Sequence, residues 1–244
     1  MKRAKLIVIE GTDGSGKETQ SKRVVEHYKN KGLKVKSYSF PIYGSATGRI
    51  VGGPYLGKPE ISESYFEETS AYVDPLVSSL YYAADRRYNF LSEIEEEMYK
   101  NDIVILDRYT TSNMGHQVGK AKNKKEAKKI LDFIETLEFD LCELPRPDLI
   151  VFLHMPFEAS KELRKDRVAG DGNENNEEHL KNAEKTYVSL AKDMGLKYIN
   201  CIKTKKYSSI EDIKTIDDIN KEILDCIDES LESESLKINK MTRF

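Results

Sequence analysis

Five short apolar runs alternate with longer amphipathic patterns along the chain. The runs occupy residues 6–9, 35–40, 103–106, 149–153 and 198–202. Most of them are almost continuously apolar and rich in β-branched residues, which is typical of strands buried on both faces of a parallel sheet. The pattern therefore predicts five buried strands.

The segments between these runs have the period of helices. They span residues 17–31, 75–100, 122–138, 156–166, 177–194 and 210–231, and Gly32 and Gly195 stand where two of them end. Strands that alternate with helices predict an α/β fold, a doubly wound parallel sheet in a single domain over residues 1–231. We interpret one apolar stripe in the last helix as packing against the sheet; it consists of Ile216, Ile219, Ile223, Ile227 and Leu231.

Three segments lack a regular pattern. Residues 41–60 are rich in glycine, proline and tyrosine, and residues 170–176 form a polar stretch with two glycines. We interpret both as surface loops or as flaps over a substrate. Residues 232–244 are expected to be a flexible tail.

Composition excludes several classes of protein. The chain has 39 lysines and arginines against 42 acidic residues, a net charge of −3, which argues against nucleic-acid binding through bulk positive charge. No apolar run approaches the roughly 20 residues of a membrane span, and the run near the amino terminus is too short for a signal peptide, so a cytoplasmic protein without membrane partners is expected. Three cysteines without Cys-x-x-Cys spacing predict neither disulfides nor a thiolate zinc site.

A phosphate-binding loop follows the first strand. Residues 11–17 match the pattern G-x-x-x-x-G-K, between a predicted strand and a predicted helix. Small residues let consecutive backbone N–H groups face phosphate oxygens, the helix amino terminus adds partial positive charge, and the lysine reaches the β- and γ-phosphates. The expected ATP-binding residues are Gly11, Gly14, Ser15, Gly16, Lys17 and Thr19.

One position departs from this motif. Glu18 stands where a serine or threonine usually binds magnesium, and Thr19 comes one place later. Either the metal is held another way or the site is damaged. We expect Glu18 on the outer side of the helix, because a carboxylate beside the triphosphate would repel it. Asp107, directly after the third predicted strand, is the candidate second carboxylate for Mg²⁺.

Several ordered segments resemble the thymidylate kinases, within the nucleoside monophosphate kinases. They are residues 9–20, Phe40-Pro41, residues 81–86, Asp107-Arg108-Tyr109 with Ser112 and Asn113, and residues 144–149. The resemblance covers roughly residues 4–203. It implies a P-loop NTPase fold with a five-stranded parallel sheet, a lid near residues 164–178, Mg²⁺, a homodimer, and phosphoryl transfer from ATP to dTMP to give dTDP.

The resemblance also implies roles for single residues. Asp13 matches a residue that approaches the sugar 3′-hydroxyl and the metal region, and Arg108 matches the arginine that binds the acceptor phosphate. Tyr82 falls where an aromatic ring stacks on the pyrimidine, while Arg86 and Asn113 fall where the base is hydrogen-bonded. A guanidinium fork suits phosphate oxygens, which agrees with the role of Arg108.

Other matches are less regular. His116 stands where a tyrosine often crowds the sugar 2′ position, and a purely structural histidine is the alternative. Phe40 and Tyr43 belong to the substrate-binding set. Tyr43 stands where some members have a phosphate-binding arginine and others a tyrosine, whose hydroxyl could donate instead. In the lid, Asp171 and Glu174 keep an Asp-x-x-Glu pair, and Glu174 is assigned to the substrate site.

Phosphoryl transfer needs alignment and charge neutralisation rather than a general base, because the acceptor phosphate is already ionised. The loop between Gly11 and Gly16 carries no arginine, so a cation beyond Lys17 and Arg108 is expected from the lid. Arg167 is the first choice for this third catalytic cation and Arg164 the second.

Two alternatives stay open. A deoxynucleoside kinase shares the loop and the sheet, but it needs a carboxylate base, commonly in a Glu-Arg-Ser segment where this chain has Asp107-Arg108-Tyr109. A nucleotide-binding regulator without turnover is suggested only by Glu18. A GTPase is disfavoured because the chain has no Asn-Lys-x-Asp motif.

Overall fold

The computed structural model describes residues 3–165 and 176–241, with side chains through residue 232. Its sheet has five parallel strands in the order β2-β3-β1-β4-β5. They are β1 (Lys5–Gly11), β2 (Val35–Ser39), β3 (Ile103–Asp107), β4 (Leu149–His154) and β5 (Lys197–Asn200). The predicted strands are confirmed, with ends that differ by a few residues.

Strand register brings the site residues to one edge of the sheet. Ile9 lies beside Asp107 of β3 and beside Val151 of β4. Because all strands are parallel, their carboxyl ends meet at the same edge, and the order changes direction at β1. This is the place where open α/β sheets bind ligands.

Helices cover both faces. They are α1 (Lys17–Asn30), α2 (Ala46–Ile50), α3 (Pro75–Asn89), α4 (Glu95–Lys100), α5 (Thr110–Val118), α6 (Lys124–Glu135), α7 (Phe157–Arg164), α8 (Glu177–Asp193) and α9 (Ile216–Met241). Single π-helical turns follow α2, α3 and α6 at Val51–Tyr55, Phe90–Ile94 and Thr136–Leu141.

Side-chain alternation along β1 separates two cores. Ile7 and Ile9 belong to the core that includes Val24 of α1 and Ile223 of α9. Leu6 and Val8 belong to the opposite core, with Met98 of α4, Val104 and Tyr109. The predicted doubly wound α/β fold is confirmed.

The last predicted helix begins later than its pattern indicated. Residues 210–212 form a 3-10 turn closed by a Ser209–Asp212 capping box, and Ile213 then pairs with Ile202 as an isolated bridge. Helix α9 starts at Ile216, whose side chain is 53% exposed, so the core stripe begins at Ile219. The helix continues to Met241.

Two helical segments have no counterpart in the prediction. The sequence pattern predicts no helix where α5 lies, and residues 46–55, expected to be irregular, form α2 and its π turn. None of the helices in the described ranges is long and apolar enough to cross a membrane.

Candidate active site

The phosphate loop joins β1 to α1 as predicted. Gly14 and Gly16 have φ angles of 78° and 81°, the left-handed region that glycine occupies without steric cost. At Gly11, a Cβ would lie 2.4 Å from the carbonyl oxygen of Leu153 on β4. The loop therefore needs glycine for its turn and for its contact with the neighbouring strand.

Lys17 lies across this loop. Its Nζ donates to the carbonyl oxygens of Gly11 at 2.9 Å and Thr12 at 2.8 Å, and the residue is buried. Burial and the nearby Arg108 lower the pKa of Lys17 to about 8, although Asp13 and Glu10 oppose the shift. The Lys17 ammonium is thus held beside the phosphate loop, whose backbone N–H groups would bind the phosphates of ATP.

Asp13 and Arg108 form an ion pair at the mouth of the loop. Arg108 has a φ of 66°, an unusual backbone conformation for an arginine, directly after β3. Burial alone would raise the pKa of the Asp13 carboxyl, but Arg108, His116 and Lys17 together outweigh it and hold the pKa well below its usual range. The resemblance placed both residues at the substrate, and the fold brings them together.

Glu10 completes this group, although sequence reasoning gave it no role. Its carboxylate is fully buried at the end of β1, where it accepts hydrogen bonds from Ser112 Oγ at 2.8 Å and from the Gly11 N–H at 3.0 Å. It lies 4.0 Å from Arg108 Nη1. Burial raises the pKa of Glu10. The available signal was an acidic residue at the end of an otherwise apolar strand.

The predicted base-binding residues line the same cleft, which has a volume of about 560 Å³. Tyr82 packs edge-on against Tyr55, with ring centroids 5.6 Å apart. Arg86 and Asn113 are buried and share one partner, Glu138.

Glu138 is a second residue that sequence reasoning missed. It lies in the π turn after α6 and is fully buried. It follows Ile130 and Ile134 at intervals of four residues, so the signal was a charged residue on the apolar face of a predicted helix.

His116 lines the cleft and contacts a second histidine. Its Nδ1 lies 3.1 Å from Nε2 of His179 on α8, and the two rings stack with centroids 5.3 Å apart. Burial lowers the pKa of His116 to about 3 and that of His179 to about 4. Both rings are therefore neutral at pH 7, one donating and the other accepting.

The segment after β2 forms another wall of the cleft. Phe40 is buried against Tyr109, and Tyr43 has Lys58 Nζ over its ring at 5.0 Å. Asp85 on α3 accepts hydrogen bonds from the backbone N–H of Ile42 at 3.0 Å and from Thr47 Oγ1 at 2.9 Å. Asp85, which the sequence did not single out, thereby ties this segment to the helix that carries Tyr82 and Arg86.

Asp107 offers an oxygen to a cation. Its Oδ2 accepts from Ser39 Oγ at 3.2 Å, while its Oδ1 is buried without a hydrogen bond. In the part of the chain that the structure describes, no three His, Cys, Asp or Glu residues cluster as a complete protein-only metal site. The donor set fits a hard cation held mainly by phosphate oxygens and water.

Glu18 points away from such a cation. Its side chain is 74% exposed and pairs with Lys22 one helical turn later at 2.6 Å. This geometry agrees with the expected position on the outer side of α1.

The lid prediction is only partly within the described ranges, because Arg167, Asp171 and Glu174 lie outside them. Arg164, at the end of α7, lines the cleft, and its Nε donates to the carbonyl oxygen of Ser160 at 3.2 Å. Ser160 Oγ in turn donates to the carbonyl oxygen of Asp13. Helix α7 is therefore attached to the phosphate loop.

Comparisons with known proteins agree with this geometry. A family model described as thymidylate kinase matches residues 9–214. A thymidylate kinase of Prochlorococcus marinus is 32% identical over 174 residues, covering 70% of this chain and 77% of that protein. A probable thymidylate kinase 1 of Saccharolobus solfataricus is 28% identical over 220 residues, covering 87% and 96%. The solved structure of thymidylate kinase from Candida albicans shares the fold, with a TM-score of 0.65, 22% identity and coverage of 93% and 92%.

Proposed function

The chain belongs to the thymidylate kinase family and is an ATP-dependent dTMP kinase; we propose that the residues lining its cleft carry out the transfer as follows. The phosphate loop and Lys17 bind the ATP phosphates, and Arg108 binds the phosphate of dTMP. The observation that carries this assignment is that Lys17, Arg108, Tyr82, Arg86 and Asn113 line one continuous cleft. Donor and acceptor phosphates would meet between Lys17 and Arg108.

Charge neutralisation is the main task of these groups. The acceptor phosphate oxygen is already ionised, so Lys17 and Arg108 stabilise the transferring group without moving a proton. Asp13 and Glu10 hold Arg108 from two sides, and Asp13 is assigned to the sugar 3′-hydroxyl. Anchoring reduces the entropy that the arginine loses when it binds phosphate.

Magnesium is assigned to Asp107, with Asp13 nearby. A bound Mg²⁺ would supply positive charge to the phosphate oxygens. The buried, unpartnered Oδ1 of Asp107 supports this assignment.

A third cation is assigned to the lid. Arg167 remains the first candidate. Arg164 is the second, supported by its position on the cleft and the contact between α7 and the phosphate loop. Glu174 stays assigned to the substrate site.

A homodimer is proposed through α3. Residues at helical spacing on this helix and in the π turn that follows it are exposed and apolar: Val77, Leu80, Ala84, Tyr88 and Leu91. Such a stripe on a water-facing helix favours burial against another chain, and the family resemblance commits it to a second copy. A cytoplasmic location stays an expectation.

The activity is tested with ATP and magnesium across dTMP, dUMP, dCMP, AMP, GMP and thymidine. Rapid dTDP formation is expected, and Lys17→Ala should abolish it while Lys22→Ala, on the exposed face of α1, leaves it intact. Phosphorylation of thymidine without dTMP would favour the deoxynucleoside kinase. ATP binding without turnover of any acceptor would favour the regulator.

A further inference from the structure

Glu138 is a buried carboxylate between two residues of the base-binding site. It accepts from Arg86 through Nε at 2.8 Å and through Nη2, and from Asn113 Nδ2 at 2.9 Å. Arg86 is 3% exposed and Glu138 is fully buried. A buried charge is costly unless it is paired and hydrogen-bonded, so the two donors account for its stability there.

Glu138, together with the carbonyl oxygen of Ser79, orients the Asn113 amide. The amide nitrogen lies near the Glu138 carboxylate and, at 3.2 Å, near the carbonyl oxygen of Ser79. Both neighbours can only accept hydrogen bonds, so the NH₂ group must face them. Asn113 Oδ1 is then buried without a hydrogen bond. An unpaired buried acceptor is unfavourable, and a donor from a ligand would relieve it.

The same carboxylate fixes the plane of Arg86. Two guanidinium nitrogens are engaged by the two carboxylate oxygens, a rigid bidentate pair. The third, Nη1, makes no hydrogen bond within residues 3–165 and 176–241. Arg86 therefore keeps the N–H groups of Nη1 for the cleft that it lines.

Together these groups present an acceptor from Asn113 and a donor from Arg86. Thymine and uracil carry an N3–H donor beside the O4 acceptor, whereas cytosine carries an N3 acceptor beside the 4-amino donor. We propose that Glu138 is a positioning residue that selects 4-oxo pyrimidine monophosphates over cytidine monophosphates, by fixing the Asn113 amide and the Arg86 guanidinium. This inference rests on the proposed assignment of both residues to the base.

The isosteric variant Glu138→Gln tests it. A glutamine amide can donate to Asn113 Oδ1, so the Asn113 amide can turn its NH₂ group toward the base, opposed only by its weaker contact with the carbonyl oxygen of Ser79. The ratio of kcat/KM for dTMP to that for dCMP is expected to fall about tenfold or more. Binding of 2-deoxyribose 5-phosphate, which has no base, should change by less than about threefold. The matched control is Glu135→Gln at the last residue of α6, one turn before Glu138, which removes an ion pair with Arg146 at the surface.

A second variant provides a test in case Glu138→Gln does not fold. Glu138→Asp keeps the charge beside Arg86 but withdraws the carboxylate, and it should lower the dTMP to dCMP ratio in the same direction. An unchanged ratio in either folded variant overturns the proposal. So does an equal loss for dTMP, dCMP and 2-deoxyribose 5-phosphate, or failure of both variants to fold, because each outcome assigns Glu138 a structural role alone. If the wild type binds dTMP in preference to dCMP but phosphorylates neither, the proposed function fails and the role of Glu138 in base selection stands.

Discussion

Gly14 and Gly16 form a matched pair for testing how the phosphate loop contacts the helix behind it. Their φ angles are nearly equal, at 78° and 81°. A Cβ at Gly16 would meet no heavy atom within 4 Å, whereas a Cβ at Gly14 would lie 2.6 Å from Ser160 Oγ and 3.2 Å from Ser160 Cβ. Alanine at the two positions therefore has the same backbone strain but a different steric cost.

The magnitudes follow from these two terms. The left-handed conformation costs a non-glycine residue about 1–2 kcal/mol. Overpacking against α7 adds about 1–3 kcal/mol at Gly14 alone. We expect Gly16→Ala to lower the free energy of unfolding by about 1–2 kcal/mol and Gly14→Ala by about 2–5 kcal/mol. Urea unfolding followed by circular dichroism measures both values.

A double-mutant cycle identifies the cause. Ser160→Ala removes the oxygen nearest the new Cβ, together with the hydrogen bond that Ser160 donates to Asp13. Combined with Gly14→Ala, it should recover part of the steric loss, giving a favourable coupling energy. Combined with Gly16→Ala, Ser160→Ala should change the free energy of unfolding by the sum of the two single effects. Equal losses for the two glycine variants, or additivity in both cycles, would refute the reasoning.

Three further results are expected. Glu18→Ser should leave kcat within about tenfold of the wild type, ~1.4 kcal/mol of barrier, because Glu18 pairs with Lys22 on the outer face of α1; a thousandfold loss in steady-state assays would contradict this. The pKa of Asp13 is depressed in the folded state, so ionised Asp13 stabilises the fold above its unfolded pKa of about 3.9, and this stabilisation is progressively lost as the pH falls below that value. In urea titrations from pH 7 to pH 3, the stability advantage of the wild type over Asp13→Asn should therefore shrink. An advantage that grows in acid would show the opposite linkage. Arg167→Ala should lower the single-turnover rate by about a hundredfold or more while ATP and dTMP still bind; wild-type rates in both this variant and Arg164→Ala would remove the lid from the mechanism.

Much of the fold was predictable because the buried strands are nearly continuous apolar runs. Helix α5 was not, because its buried positions include Thr110, Thr111, Asn113 and Gln117 and show no apolar period. The helical structure of residues 46–55 was not predictable either, because this segment contains three glycines and a proline, which usually indicate a loop. In both places tertiary contacts outweigh local propensity.

The phosphate loop could be predicted because its whole motif is local. The partners of the substrate-binding residues could not, because they come from distant segments. Glu138 is 52 residues from Arg86, and His179 is 63 residues from His116. Only the folded chain shows that these pairs are in contact, although Glu10 and Glu138 were each visible as an acid in an apolar pattern.

The buried acids also link stability to function. Glu10 and Glu138 each lie behind an arginine of the cleft, and each is fully buried. Removing either acid leaves a cation less compensated, and breaking a pair as buried as Arg86–Glu138 typically costs about 3–5 kcal/mol. These carboxylates hold the arginines in place before substrate binds, so part of the cost of organising the site is met during folding. Substitutions at Glu10 or Glu138 should therefore lower stability and change ligand recognition together, whereas Glu18, exposed on α1, is expected to affect neither strongly.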